Sequence, residues 1–349
     1  MASPVYFLPL DKMNRFSSWL QDIGAYRHIK PRDFVALKIH FGEKGNLGFV
    51  KPEYAKEIAK NVLAASAWPF LTDTNTIYVG QRADAVHHSL IAAEHGFTVE
   101  NCGCPVIIAD GLRGNSGVSV EVNLKHFRSV SIGHALHYAD SHIFITHFKG
   151  HELTGFGGVL KNMGMGCGTR AGKYAMHDKV LPKVSVDQCT GCGQCLKWCS
   201  GNALRLEKNN KIVMESERCI GCGECILSCP QNVFMIPWDE NTSAVQEKIV
   251  EYACGVLKGK PHFSINFVNY ITQYCDCYAT KGKPLTGDIG VLASADPVAL
   301  DQACADMVNS SYGSDFWRVI FPEIDWTVQL SYAERLGLGK REYTLIEYR

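Results

Sequence analysis

Eight cysteines in two matched runs constrain this chain more than any other feature. Cys189, Cys192, Cys195 and Cys199 are answered thirty residues later by Cys219, Cys222, Cys225 and Cys229, each run reading C-x2-C-x2-C-x3-C. Zinc sites usually pair two short C-x2-4-C hooks across a longer loop, so three thiols at two-residue gaps suit a cubane of iron and sulfide better. In that arrangement the fourth cysteine of each run reaches the other cluster. The expected sets are Cys189, Cys192, Cys195 with Cys229, and Cys219, Cys222, Cys225 with Cys199, each around one [4Fe-4S] cluster.

The residues between the thiols fit this chemistry. Gly191, Gly193, Gly221 and Gly223 let the backbone curl around a bulky group and turn N–H groups toward its sulfurs. Pro230 turns the chain away after the second run, whereas Ser200 occupies the equivalent place after the first. The spacing resembles that of the two-cluster bacterial ferredoxins, and it implies a ferredoxin-like piece over about residues 181–240, bounded by Pro182 and Pro237. Within it, Ala203–Leu206 and Lys211–Met214 read as a short strand pair. So small a piece buries little core and depends on its clusters for stability.

The flanking segments, 1–180 and 241–349, read differently. Short apolar runs at Val35–Phe41, Pro69–Asp73, Val106–Asp110, Ile143–Phe148, Phe263–Val268 and Ile289–Ala293 read as strands. Between them lie helix patterns at Pro52–Ala65, Ala83–His95, Thr242–Leu257 and Pro297–Asn309, two of them with proline in the first turn. Alternation of this kind predicts an α/β fold with a largely parallel sheet flanked by helices, into which the cysteine-rich piece is inserted.

Charge balance narrows the partners. With 35 basic and 35 acidic residues, the formal charge is zero, which offers no electrostatic case for nucleic acid or an anionic membrane. No apolar run approaches the roughly 20 residues that span a bilayer. The beginning of the chain, broken by Pro4 and Pro9, lacks the basic and apolar blocks of a leader. Fifteen cysteines in such a chain predict a reducing cytoplasm, where thiols serve as ligands, and oxygen-labile clusters predict anaerobic chemistry.

Nearly every predicted strand ends in reactive polar residues: His40 with Glu43 and Lys44, Asp73 with Asn75, Asp110, His147 with Lys149 and His151, and Ser294 with Asp296. In open α/β sheets, ligands bind beyond the carboxyl ends of the strands, so these residues are candidates for one pocket. The segment from His147 to Lys173 is rich in glycine, including Gly157 and Gly158, and carries Lys149, Lys161, Arg170 and Lys173. It reads as a flexible, donor-rich loop able to cradle a small anionic substrate or cofactor. Cys275 and Cys277 stand two apart in Y-C-D-C-Y, so in extended backbone both thiols face one side. Together with Cys167 and one of His40, His147 or His151, they are candidates for a third metal or cluster, although buried cytosolic cysteines commonly act as small hydrophobes.

The combination of V-A-L-K-I-H-F-G-E-K-G-N, F-L-T-D-T-N, H-F-K-G-H-E-L-T-G-F-G-G-V-L-K-N-M-G-M-G-C, the doubled cysteine run, C-D-C and D-I-G-V-L-A-S-A-D-P-V-A-L-D resembles the iron-sulfur proteins grouped as domain of unknown function 362, from about Val35 to Asp306. That resemblance implies an α/β domain with a ferredoxin insertion and supplies no reaction. A shorter stretch, H-E-L-T-G-F-G-G-V-L-K, is similar to the cofactor-binding segment of the nickel-pincer lactate racemases. It implies proton or hydride chemistry at His151 and cofactor attachment at Lys161.

The expected function is electron relay through two clusters to a site in the α/β domain. There His147, His151 and Lys161 would be catalytic, and His40, Lys44, Asp73, Gly157, Gly158, Lys161 and Asp296 would bind a cofactor or anion. A redox partner protein is implied, and the chain would act as an oxidoreductase or reductive activator. Two rivals stand beside it: a pure electron carrier with a docking domain, and a metallocluster scaffold or sensor.

Overall fold

The computed structural model describes residues 2–177, 181–219, 221–235, 241–278 and 282–349. Eight strands form its main sheet: β1 (Ser3–Pro9), β2 (Phe34–Ile39), β3 (Trp68–Asp73), β4 (Val106–Ile108), β5 (Ser141–His147), β6 (His262–Val268), β7 (Gly290–Ser294) and β8 (Tyr343–Glu347). Their order is β8-β1-β7-β6-β5-β2-β3-β4. Every neighbouring pair is parallel except the two made by β7, which runs against both β1 and β6. The fold is therefore α/β with a largely parallel sheet.

Side chains alternate across the strands into two apolar layers. On β2, Val35, Leu37 and Ile39 enter the layer that also receives Ile58 and Val62 of helix α1 (Pro52–Ala64), while Ala36 faces the opposite layer. Pro52 opens α1 at a position where its missing N–H costs nothing. Asp84 caps helix α2 (Ala85–Glu94) by accepting from Val86 and His87 N–H. The other face is covered by helices α3 (Val159–Cys167), α5 (Thr242–Leu257) and α6 (Pro297–Tyr312); helix α4 (Arg170–Met176) directly follows α3.

The glycine-rich segment is not the flexible loop its composition suggests. It forms an antiparallel hairpin of Lys149–His151 with Gly155–Gly157, then α3 and α4, nearly all buried. Its glycines serve close packing. A Cβ on Gly164 would lie 2.1 Å from the Ile249 carbonyl oxygen of α5, so glycine lets α3 approach that helix closely. Gly158 sits against Asp301, whose carboxylate accepts from Val159 and Leu160 N–H at 2.8 and 2.9 Å and closes the first turn of α3.

Between α4 and α5 the chain forms a separate small lobe. Lys183–Val184 pairs antiparallel with Phe234–Met235, bringing the ends of the lobe together, and Leu204–Leu206 pairs with Ile212–Met214 within it. Two short helices, Gln194–Trp198 and Glu224–Ser228, follow Gly193 and Gly223. The predicted terminal punctuation at Pro237 lies outside the described residues. No described helix is long and apolar enough to cross a membrane.

Candidate functional site

Strands β2, β3 and β4 step outward one way, whereas β5 and β6 step the other way. The reversal lies between β2 and β5, the place where open α/β sheets leave a crevice at their carboxyl ends. A cavity of about 690 Å³ occupies that crevice, a volume suited to a small-molecule ligand. Into it open His40 and Lys44 after β2, Asp73 at the end of β3, His147 at the end of β5, and His151, Gly157, Gly158 and Lys161 of the following segment. Cys275 and Cys277, from the loop after β6, complete the wall.

Two predicted members lie elsewhere. Asp296 follows β7, and because that strand is antiparallel to its neighbours its carboxyl end lies at the opposite end of the strands from the cavity. Asp296 there caps α6, accepting from Val298 and Ala299 N–H at 2.9 and 3.0 Å. Cys167 is fully buried at the end of α3 with its sulfur 3.6 Å from the Asn162 carbonyl, and burial pushes its thiol up to about 12. It is not among the groups gathered with Cys275 and Cys277. Asn75 and Asp110 hold each other, Nδ2 to Oδ1 at 2.8 Å, in the turns beside β3 and β4.

The sulfurs of Cys275 and Cys277 stand 2.9 Å apart, and the Nε2 of His40 is 3.5 Å from the latter. This His/Cys/Cys group could hold a metal ion. The hydrogen bond from the Cys275 S–H is the largest influence holding Cys277 well below the usual thiol range, with His40 and Arg82 adding to it. Lys161 reaches to 3.9 Å from the Cys275 sulfur. Burial opposes the Lys161 charge, yet Cys275, Cys277, Glu152 and Asp276 together outweigh it and raise its pKa.

The histidines have distinct environments. Both nitrogens of His147 face acceptors: Nδ1 lies 3.0 Å from each oxygen of Asp276, and Nε2 lies 2.8 Å from the Asn269 carbonyl. Both ring nitrogens of His147 are therefore engaged by groups of the protein itself. Burial, and then the Lys161 charge, hold His151 well below its ordinary range. Its Nδ1 accepts from Leu153 N–H at 3.2 Å, so the proton resides on Nε2.

Below this group lies a buried charge network that the sequence reading missed. Lys38 donates to Asp73 at 2.8 Å and to Asn162 at 2.7 Å, and Arg82 lies 3.5 Å from Asp73. Burial alone would raise Asp73, but Lys38, His40, His88 and Arg82 hold it far below the usual carboxylate range. A lysine inside the apolar run V-A-L-K-I was the available signal, since a charge on a doubly covered strand requires a partner. Asp73→Asn should cost about 2 kcal/mol at pH 7. Because the folded pKa is depressed, this contribution is complete above the unfolded carboxyl pKa of about 4 and is lost as pH falls below it. Urea midpoints measured from pH 7 downward should therefore converge for the two proteins in acid; a constant gap would refute the pairing.

The eight cysteines of the lobe surround two further small cavities. Cys189, Cys192, Cys195 and Cys229 line one; Cys199, Cys219, Cys222 and Cys225 line the other. Gly191, Gly193, Gly221 and Gly223 all take positive φ, from 67° to 71°, which wraps the chain around these spaces. Backbone N–H groups of Gly191, Ala203 and Val233 point at the sulfurs of Cys189, Cys199 and Cys229 at 3.4, 3.2 and 3.4 Å. The lobe rests on the sheet domain through Tyr174 of α4, against which Gly223 packs so closely that a Cβ would lie 2.0 Å from its ring. Tyr174 in turn donates to the carbonyl of Ile77, a residue of the large cavity wall.

The family model described as "Domain of unknown function (DUF362)" matches residues 35–306. A search of the curated proteins finds no match. Among solved structures, the lactate racemase apoprotein from Thermoanaerobacterium thermosaccharolyticum is similar at 8% identity and a TM-score of 0.40, covering 88% of this chain and 57% of that one. A protein from Thermotoga maritima is similar at 10% identity and a TM-score of 0.40, covering 86% of this chain and 58% of that one. The chain thus spans less than two thirds of the length of either structure.

Proposed function

We propose that the chain, which belongs to the domain of unknown function 362 family, is an iron-sulfur redox protein that delivers electrons to a reaction site in its 690 Å³ cavity. The observation that carries this reading is the crossed grouping of the eight cysteines around two spaces, three from one run with the last from the other. Two [4Fe-4S] clusters would supply one-electron transfer at low potential. Residues 181–240 form the inserted cluster-binding piece in this reading, and 1–180 with 241–349 form the domain that holds the site.

Each part of the chain has a role. The four positive-φ glycines and the N–H groups aimed at sulfur hold the ligand loops and stabilise thiolate charge. Tyr174 and Ile77 pack into the apolar cluster of the lobe, and Ile77 also lines the cavity, so the two residues stand between the lobe and the site. In the cavity, the stems of Lys149 and Lys161 pass Gly157 beside His151; Lys149 is held by the His147 carbonyl and Asp276, which leaves Lys161 as the cation for a small anionic substrate. His151, with its Nε2 proton, is placed to donate toward such a ligand. A redox partner protein would supply the electrons in the cytoplasm.

A second reading adds a third metal at His40, Cys275 and Cys277, favoured by ligand atoms that lie within 4.8 Å of one another. Metal and sulfide analysis of anaerobically purified protein tests both. About 8 iron and 8 sulfide per chain supports the two clusters, and an additional equivalent of nickel, zinc or cobalt supports the third site. Zinc in the lobe in place of iron and sulfide would overturn the redox reading.

A further inference from the structure

Cys275 and Cys277 have the arrangement of a reactive thiol pair. Their sulfurs are 2.9 Å apart, and both open into the large cavity. They differ in access: Cys275 is 1% exposed, while Cys277 is half-buried. The neighbouring imidazole has a definite tautomer. Gly42 N–H donates to His40 Nδ1 at 3.0 Å, so Nδ1 is the acceptor and the ring proton resides on Nε2, directed at the Cys277 sulfur. A neutral histidine that ligates a metal through Nε2 needs the opposite tautomer, with Nδ1–H donating to a carbonyl or carboxylate. His40 thus serves the Cys277 sulfur as a hydrogen-bond donor, and Lys161 stands 3.9 Å from Cys275.

We propose that Cys275 and Cys277 form a reversible dithiol–disulfide couple that reduces an organic disulfide with anionic ends bound in the cavity. The Cys277 sulfur, the more accessible of the two, attacks one sulfur of the substrate; the substrate S–S bond breaks and one thiol departs with a proton. Cys275 then loses its proton and attacks the Cys277 sulfur of the mixed disulfide, breaking that bond and releasing the second thiol. The net change converts two cysteine thiols and one substrate disulfide into one intramolecular disulfide and two product thiols, with electrons balanced. Lys161, whose ammonium reaches to 3.9 Å from the Cys275 sulfur, is the cation that receives an anionic end, while Lys149 is held by the His147 carbonyl at 2.7 Å and by Asp276 at 3.4 Å. The inference shares its cavity with the function proposed above but requires no cluster.

The test uses anaerobic, as-purified full-length protein and 5,5′-dithiobis(2-nitrobenzoate), a disulfide with two carboxylate arms. After one equivalent, peptide mass spectrometry should find the peptide carrying Cys275 and Cys277 two hydrogens lighter and free of adduct. Cys275→Ser should instead trap a mixed disulfide on Cys277, and Cys277→Ser should react far more slowly at this site. Separate adducts on both cysteines in the parent protein, or a bound metal that must be chelated before either reacts, would overturn the proposal. Iron and sulfide measured on the same sample report independently on the clusters, so the two readings fail separately.

Discussion

Replacing Cys189 and Cys229 together by alanine should leave about 4 of the expected 8 iron atoms per chain, whereas replacing Cys189 and Cys199 together should damage both clusters. Each double variant removes the same number of thiols. The difference arises because Cys229 lines the same space as Cys189, while Cys199 lines the other with Cys219, Cys222 and Cys225. The intact cluster in the first variant should retain an electron paramagnetic resonance signal on reduction; the second variant should lose or broaden both. If clusters instead formed run by run, the two outcomes would exchange. Heat or urea should then melt the lobe of the second variant first, because its apolar cluster is small and built around the ligand loops themselves: Cys195 packs with Ile212, Ile226 and Phe234.

The crossed grouping of the cysteines was legible because it depends on spacing along the chain, which a sequence displays directly. The same is true of the strands: six predicted runs coincide within two residues or so with β2 to β7, since branched apolar residues buried on both faces leave an unambiguous pattern. The two strands of the main sheet that went unread have physical reasons. β8 lies at the sheet edge with most of its side chains exposed, and β1 contains prolines at positions 4 and 9 that argue against a strand. Strand direction was equally hidden. Nothing in G-V-L-A-S says that β7 runs against its neighbours, and Asp296 was accordingly assigned to the wrong end of the sheet.

The candidate site was legible as a set of reactive residues at strand ends but not as a geometry. His40 and Cys277 meet only because the ends of β2 and β6 flank β5 in the sheet. His147 looked like a free catalytic histidine, yet Asp276 and the Asn269 carbonyl engage both of its nitrogens. Glycine content carried the least reliable message. At Gly158 and Gly164 it reflects the contact distance to Asp301 and α5, a property of the packed molecule that composition does not encode.

Breaking the ion pair that docks the lobe should have the largest effect on stability of any single substitution away from the cysteines. Arg170 is 1% exposed and Glu224 2% exposed, and Arg170 donates to the Glu224 carboxylate at 2.7 Å. Asn115 donates to the same carboxylate at 2.9 Å, and Arg113 lies 3.3 Å from its other oxygen while stacking over Trp198. Arg170 also donates to the carbonyls of Thr76, Ala83 and Arg113 on the sheet domain, so one side chain ties both parts together. Arg170→Met removes the buried cation from the Glu224 carboxylate, leaving it Asn115 and the more exposed Arg113, and strands three carbonyls; it should cost about 3 to 5 kcal/mol in urea unfolding. Glu224→Gln retains the hydrogen-bonding shape without the charge and should cost less. The double variant Arg170→Met with Glu224→Leu should recover part of the loss, because no unpaired charge then remains buried. Strict additivity of the two single changes would show that Arg170 and Glu224 act independently, and that the lobe is held against the cavity wall by Tyr174 and its apolar neighbours alone.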